Sequence, residues 1–242
     1  MSIVDVLVEL RKNVSPDFVY DEEKVKRLRA ERKRELYARI NEAYLRNEKE
    51  KGNLKYSMIP EKYQKADFTD LTITKENQPM VEMVVKYVKN FDRMRKGICL
   101  MGSYGIGKTS LIAIACKKLI EKENEIVYFA TEQTILEEAK KTFNDTTTDE
   151  VEDVIRRICK NDIIVIDELG TTKNEWELSV IKRIIDGAIN GNKKLFITTN
   201  YKKSELLQKW GQSDTNKTPK QIIDRMNEAM NLYEISNTKS FR

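Results

Sequence analysis

The stretch Gly102-Ser103-Tyr104-Gly105-Ile106-Gly107-Lys108-Thr109 decides the fold class of this 242-residue chain. Its spacing, G-x-x-x-x-G-K-T, is that of a phosphate-binding loop. The apolar run 97–101 precedes it and predicts a buried strand, and the apolar run 110–116 follows it and predicts a helix. Since backbone N–H groups and the positive end of the helix dipole then face inward, we expect the segment from Gly102 to Ser110 to bind the phosphates of a nucleotide.

Two side chains of this loop have distinct predicted roles. Lys108 would reach the β- and γ-phosphates, and the hydroxyl of Thr109 would ligate Mg²⁺. The expected cofactors are therefore ATP or ADP together with Mg²⁺. A chance glycine-rich turn is the alternative, and the strand and helix predicted on either side argue against it.

Composition excludes several other classes of protein. The chain has no histidine, so histidine acid–base catalysis is excluded. Its three cysteines stand singly in apolar segments without a C-x-x-C pair, which excludes a zinc ribbon and favours free thiols in a reducing cytoplasm. Residues 1–13 lack the basic start of a signal peptide, and no apolar run reaches membrane-spanning length, so we expect a cytoplasmic protein with no membrane partner.

The pattern beyond the loop predicts an α/β fold, because continuous apolar runs alternate with amphipathic stretches. Ahead of the loop, residues 77–91 predict a helix. Strands are predicted at 97–101, 125–130, 162–167, 194–200 and 232–235, with helices between them at 131–143, 149–159, 176–190, 206–210 and 219–230. Alternation of this kind builds a parallel sheet, whose ligand sites lie at the carboxyl ends of the strands.

The N-terminal region has a different composition. Residues 21–51 are very charged and predict helix with a narrow apolar stripe, formed by Val25, Leu28, Leu36, Ile40 and Tyr44. Such a stripe fits docking onto another protein and fits a solvated appendage equally well. We therefore divide the chain into a helical N-terminal domain at 1–52, a linker at 53–66 and a nucleotide-binding domain at 67–242.

Polar residues at two other strand ends complete the predicted site. Asp167 ends a buried strand and is expected to hold Mg²⁺, while Glu168 beside it is placed to polarise the attacking water. Asn200 ends a later strand and can hydrogen-bond the γ-phosphate or that water. Arg225 lies far from the loop in sequence, and from composition alone it is a surface arginine.

Several blocks of the sequence together resemble the DnaC/IstB-like AAA+ ATPases, a group that holds replicative helicase loaders and transposition helper ATPases. The blocks are Ile59–Tyr63 with Ala66–Phe68, the phosphate-binding loop, Ile163–Gly170, Phe196–Asn200 and Asp224–Met226, with Ser240–Arg242 as a weaker match. The resemblance covers residues 59–242, and the order of the strand-end motifs is more specific to the group than the loop is.

The resemblance implies an AAA+ P-loop core with the loop's strand central in the sheet, beside the small helical N-terminal domain that the pattern predicts. It implies that subunits self-associate through ATP with Arg225 acting in trans. If the chain is a helicase loader, residues 1–52 are expected to bind a hexameric DnaB-type helicase. The resemblance also implies contact with single-stranded DNA between residues 131 and 159, where Lys140 and Lys141 are candidates.

Two positions depart from the family pattern and leave the function open. Where the family often has an arginine after Asp186, this chain has Ala188, and where some loaders have a second arginine it has Gln221. We favour a helicase loader that delivers the helicase onto single-stranded DNA. The alternatives are a transposition helper that acts on duplex DNA and an ATP-sensing adaptor that hydrolyses ATP weakly.

Overall fold

The fold is seen in a computed structural model, which describes residues 22–141, 151–172, 174–211 and 217–235. The helices are α1 (Glu22–Tyr56), α2 (Glu61–Gln64), α3 (Gln78–Lys89), α4 (Lys108–Glu123), α5 (Glu132–Lys141), α6 (Val151–Cys159), α7 (Glu175–Asn190), α8 (Lys203–Trp210) and α9 (Thr218–Ala229). The strands are β1 (Gly97–Gly102), β2 (Val127–Thr131), β3 (Ile163–Leu169), β4 (Lys194–Thr199) and β5 (Met230–Ile235).

These strands form one five-stranded sheet in the order β2-β3-β4-β1-β5, and each neighbouring pair is parallel. The α/β prediction is therefore confirmed, and each predicted strand is present. β1 is paired on both sides, by β4 and β5, but the middle position belongs to β4. The strand of the phosphate loop is thus interior to the sheet rather than at its centre.

Strand alternation divides the core into two apolar layers. Ile98, Leu100 and Phe196 face one side of the sheet and pack with α3 and α4. Cys99 and Ile197 face the other side and pack with α5 to α9. Since successive strand residues point to opposite faces, runs that are apolar at every position need cover on both sides. Burial of each large side chain is worth roughly 1.5–3 kcal/mol, and this covering holds the strand ends in place.

Residues 53–66, which composition assigned to a linker, are attached to the core by several contacts. The Asn53 side chain donates to the carbonyl of Asn124 at 3.2 Å, and the carbonyl of Ser57 accepts from the Phe129 amide at 2.8 Å. Ile59 is buried in the layer that contains α3 and α4. The chain divides into compact units at 1–47 and 48–242, so the segment belongs to the second unit. The linker prediction missed this because its contacts lie about 70 residues away.

The helix predicted at residues 21–51 extends further than expected, because α1 continues to Tyr56. Its apolar side chains are exposed over the part that precedes residue 48: Leu28, Leu36, Tyr37, Ile40, Tyr44 and Leu45 are 51–61% exposed. The predicted stripe therefore has no cover among the described residues, and the side chain of its first member, Val25, lies outside them. The role of residues 1–52 as a separate domain stays a prediction.

The remaining expectations on composition concern cysteines and membranes. The three cysteines are free thiols; Cys99 and Cys116 are buried, which raises the pKa of both, and Cys159 is partly buried. Within the described residues there is no helix of sufficient length and apolarity to span a membrane. The motif Ser240–Arg242 and the end of the helix predicted at 131–143 lie outside the described residues.

Candidate nucleotide-binding site

The phosphate loop joins β1 to α4 as its spacing predicted. β1 ends at Gly102 and α4 begins at Lys108, with Gly107 as its N-cap residue. Gly107 has φ of 90°, a left-handed conformation that glycine adopts without strain and other residues rarely adopt. This turn directs the first N–H groups of α4 toward the loop, where they form an anion site.

Lys108 is buried and its amine is fully engaged within the chain. Nζ donates to the carbonyls of Gly102 and Ser103, each at 2.8 Å, and to Oδ1 of Asn200 at 2.7 Å. Burial lowers the pKa of Lys108 to about 8, opposed by the nearby carboxylates of Asp167 and Glu168. The amine is therefore held in the loop, close to where the phosphates are expected.

Thr109 and Asp167 meet as predicted. The hydroxyl of Thr109 donates to Oδ1 of Asp167 at 2.9 Å, and the hydroxyl of Thr198 donates to the same oxygen at 2.5 Å. Asp167 is only 4% exposed. One hydroxyl and one carboxylate, with phosphate oxygens and water, form the oxygen donor set that Mg²⁺ prefers, so the pair fits the expected cation. The described residues hold no cluster of three or more His, Cys, Asp or Glu that could bind a metal by protein ligands alone.

Glu168 stands out from β3 in an unusual conformation. It is exposed, its φ is 58°, and the pairing of β3 with β4 shifts register between Ile166 and Leu169. Its amide donates to the Thr198 hydroxyl at 3.0 Å. A residue other than glycine at such φ is strained and persists only where its surroundings fix it, commonly at functional sites. The bulge turns the Glu168 side chain out of the sheet, where it lines the cavity beside the loop.

Two cavities lie beside the phosphate loop. One, of about 340 Å³, is lined by Lys62, Tyr63, Tyr104, Gly105, Gly107, Lys108, Thr109, Ser110, Glu168, Thr198 and Asn200. The other, of about 250 Å³, shares Gly105, Gly107 and Ser110 and is otherwise lined largely by apolar side chains such as Leu71, Met80 and Val81. The structure therefore brings most of the predicted phosphate and hydrolysis residues to one polar cavity. Asp167 reaches it through its hydrogen bond with Thr109, and Arg225 does not line it.

Three residues of the polar cavity were missed from the sequence. Thr198 joins Asp167 to the Glu168 amide, although the Thr-Thr-Asn strand end had been assigned only through Asn200. The Ser110 hydroxyl donates to the Tyr63 hydroxyl at 3.1 Å, and the Lys62 amine lies 4.7 Å from the ring centre of Tyr63. Tyr63 ends the block Ile59–Tyr63 on which the resemblance rests, but its contact with Ser110 joins residues 47 positions apart and could not be predicted from the sequence.

Arg225 lies on α9 and outside the polar cavity. Its guanidinium pairs with Asp186 of α7 at 2.9 Å and with Glu228 at 2.7 Å, and its side chain is 45% exposed. Asp186 therefore has its arginine partner from another helix. Ala188, where the family pattern has an arginine, is fully buried against the core and offers no surface for a subunit contact.

The two lysines expected to contact DNA are both exposed at the end of α5. Lys140 pairs with Glu177 of α7, and Glu177 also accepts from the hydroxyl of Thr172. Lys140 is therefore exposed, and its partner Glu177 also bonds Thr172 in the segment that follows β3. Residues 142–150 lie outside the described residues, and the DNA contact stays a prediction.

Comparison with known proteins gives one family model and several relatives. The model described as "Type III restriction enzyme, res subunit" matches residues 57–224, a range that contains the phosphate loop, Asp167 and Asn200. The replicative helicase loader DnaC of Escherichia coli K12 is 27% identical over 158 residues, which is 65% of this chain and 60% of that protein. The match therefore spans less than two thirds of the length of this curated relative.

Solved structures agree with the observed sheet. A crystal structure of the DnaC helicase loader matches with a TM-score of 0.62 at 22% identity, covering 73% of this chain and all of that one. The replication initiator DnaA bound to AMPPCP and single-stranded DNA matches with a TM-score of 0.60 at 17% identity, covering 76% and 53%. The resemblance to DnaC-type AAA+ proteins and the AAA+ P-loop fold are thereby confirmed.

Proposed function

This chain belongs to the family of the type III restriction enzyme res subunit model, and from its AAA+ P-loop core we propose that it is an ATP-dependent loader of a replicative DNA helicase. The observation that carries the proposal is that Lys108, Thr109 and Glu168 line one polar cavity, with Asp167 bonded to Thr109. The family model spans the residues of the nucleotide site. The narrower role, helicase loading, is supported by the helicase loaders that align with this chain.

The two cavities suit the two ends of ATP. The phosphates would bind in the polar cavity at the N–H groups of α4, with Lys108 beside them. The second cavity offers apolar surface from Leu71, Met80 and Val81 for the base. Mg²⁺ held at Thr109 and Asp167 would neutralise charge on the phosphates. Glu168 and Asn200 would orient the attacking water, and positioning of that kind is the protein's main contribution to phosphoryl transfer.

The polar contacts of Lys108 couple these residues before nucleotide binds. Its amine bonds Asn200 and the loop carbonyls, so a phosphate that engages Lys108 must draw the amine away from at least one of them. Asn200 would then be released to bond the phosphate or the water. ATP binding would in this way change the contacts at the end of β4.

The partners are assigned by region. We propose that residues 1–52 bind the hexameric helicase, supported by the uncovered apolar side chains of α1. We propose that the core binds single-stranded DNA near α5 and α6, with Lys140 and Lys141 among its contacts, and that subunits associate with Arg225 acting in trans. We also propose that the protein acts in the cytoplasm, with the helicase that it delivers.

A loading assay tests the proposal. The chain, a hexameric replicative helicase and ATP are incubated with single-stranded circular DNA coated with single-strand-binding protein, and helicase bound to the DNA is counted. We expect the chain to raise that count several-fold. Glu168→Gln should keep ATP binding and lower hydrolysis by about 100-fold or more, because the water loses its polarising carboxylate.

Matched controls separate the alternatives. Glu175→Gln changes an exposed acid at the start of α7 and should leave hydrolysis unchanged. Assembly on duplex DNA with recruitment of a transposase, and no loading, would favour a transposition helper. ATP binding without hydrolysis or loading in the unmodified chain would favour an ATP-sensing adaptor and overturn the loader proposal.

A further inference from the structure

A buried carboxylate beside the site has no role in the proposed function. Glu132 is the first residue of α5, directly after β2, and its side chain is fully buried. Burial raises its pKa, and hydrogen bonds from the segment after β3 oppose that rise. A carboxylate away from water is costly unless it is hydrogen-bonded, so a site that retains one has a reason to do so.

All the bonds that Glu132 accepts come from the loop that leaves β3. Oε2 accepts from the amide of Gly170 at 3.0 Å, and from the amide and hydroxyl of Thr171 at 2.6 and 2.5 Å. Oε1 is buried and has no hydrogen-bond partner among the described residues. The carboxylate therefore fixes two successive residues of one short segment rather than bridging two parts of the core.

That segment begins two residues after Glu168. Glu168 and Gly170 both have positive φ, 58° and 106°. A Cβ on Gly170 would lie 2.5 Å from Leu206 and 2.9 Å from Tyr201, so glycine is required there by space as well as by φ. The exit of the chain from β3, residues 168–171, is therefore strained and relaxes unless neighbouring residues fix it.

The exit is held from both sides. On the β4 side, the Thr198 hydroxyl accepts from the Glu168 amide at 3.0 Å, and the Thr199 hydroxyl donates to the Leu169 carbonyl at 2.7 Å. On the β2 side, Glu132 is the residue that accepts from Gly170 and Thr171. Loss of either side would free the backbone that aims Glu168 at the polar cavity.

We infer that Glu132 is a positioning residue, which holds Gly170 and Thr171 so that Glu168 keeps its left-handed conformation toward the attacking water; the inference rests on the proposed ATP hydrolysis. Glu132 itself does not line the cavity. It acts through the backbone, so its loss should change the turnover of bound ATP and leave nucleotide affinity alone.

The test compares Glu132→Ala and Glu132→Gln with Glu137→Ala and Glu137→Gln, which change an exposed glutamate of the same helix. For Glu132→Ala we expect kcat to fall about 10- to 100-fold with the Kd for ATP within twofold, because misplacement by about 1 Å can have an effect of that size. Glu132→Gln keeps an acceptor oxygen and should recover part of kcat. The Glu137 variants should match the unmodified chain.

Amide hydrogen exchange provides a readout that does not need hydrolysis. Exchange at Gly170 and Thr171 should rise at least about tenfold in Glu132→Ala and stay unchanged in Glu137→Ala. If the unmodified chain binds ATP without hydrolysing it, the proposed function fails, and this exchange still decides whether Glu132 holds the segment.

Two results would overturn the inference. One is unchanged exchange at Gly170 and Thr171 in Glu132→Ala; the other is an unaltered kcat in a folded Glu132→Ala protein whose unmodified parent hydrolyses ATP. If Glu132→Ala fails to fold, Glu132→Gln and Thr171→Val replace it. Thr171→Val removes one of the three hydrogen bonds and should lower kcat about two- to threefold.

Discussion

The phosphate site and helix α1 differ in burial and in the kind of side chain that they present. At the site, Lys108 is 6% exposed and its amine has three acceptors from two other segments of the chain. On α1, Leu36 and Tyr44 are 58% and 61% exposed. The first region is fixed by buried polar contacts, and the second displays apolar surface on a charged helix.

This difference shows which kind of function each region can reveal. Convergent polar groups define the chemistry of a small ligand, so the site can be interpreted from its own contacts. An uncovered apolar surface indicates a partner but gives little of the partner's identity. The two regions should therefore be separable by mutation, with nucleotide affinity sensitive to one and helicase affinity to the other.

The largest expected effect is that of Lys108→Ala on nucleotide binding. The Kd for ATP should rise at least about 100-fold, because charge-assisted hydrogen bonds to the phosphates are lost. Isothermal titration calorimetry measures it, with Lys118→Ala, a lysine further along the same helix, as the control. Retained ATP affinity in folded Lys108→Ala would show that the loop does not bind phosphate.

Removal of residues 1–47 tests the other region. Helicase binding should be lost in size-exclusion co-elution, while the Kd for ATP stays within about twofold, because 48–242 is a compact unit by itself. The finer version is Leu36→Ala with Ile40→Ala, which should weaken helicase binding about tenfold by loss of apolar contact. Lys33→Ala, an exposed change on the same helix, is its control.

Either of two outcomes would break the contrast between the regions. Co-elution of the truncated chain with the helicase would place the partner surface on the core. Loss of ATP binding on truncation would show that the site depends on the N-terminal region.

Arg225→Ala should have a smaller effect, confined to hydrolysis in assemblies. We expect ATP affinity unchanged and hydrolysis about tenfold lower. The fall is limited because the guanidinium must first leave Asp186 and Glu228 to act in trans. Arg183→Ala serves as an arginine control on α7. Mixing Arg225→Ala with Glu168→Gln subunits should restore activity, and a mixture that stays inactive at all ratios would remove the trans role.

The last expected effect is the pH dependence of ATP affinity, which is absent at neutral pH and needs no substitution. Burial lowers the pKa of Lys108 to about 8, so the empty site holds a charged amine below that pH and a neutral one above it. Phosphate favours the charged form, so affinity should fall by up to about tenfold per pH unit above 8 and stay level below 7. Calorimetry from pH 6.5 to 9.5 checks this.

Lys108→Arg should flatten the profile, because arginine stays charged throughout this range. The stability of the empty fold should change with pH in the opposite direction to ATP affinity. The pKa of Lys108 is lower in the folded state than its unfolded value of 10.5, so the buried charged amine destabilises the fold below about pH 8. This destabilisation decreases as the pH rises from about 8 toward 10.5. A pH-independent ATP affinity in the unmodified chain would contradict the assignment of the buried amine.

The sequence by itself determined the features that depend on neighbours in the chain. The spacing of glycines with Lys108 and Thr109 defines the loop, and apolar periodicity defines the strands and helices around it. Asp167, Glu168 and Asn200 were placed correctly at strand ends because parallel strands bring their carboxyl ends to one edge. These inferences need only local order and the geometry of a parallel sheet.

Tertiary structure alone decided what distant residues do to one another. Thr198 between Asp167 and Glu168, Tyr63 on Ser110, Asp186 beside Arg225 and Glu132 beneath the exit of β3 have partners 31, 47, 39 and 38 positions away. The segment 53–66 joined the core for the same reason. Hydrogen bonds act over about 3 Å, and no pattern along one chain specifies which remote groups come within that distance.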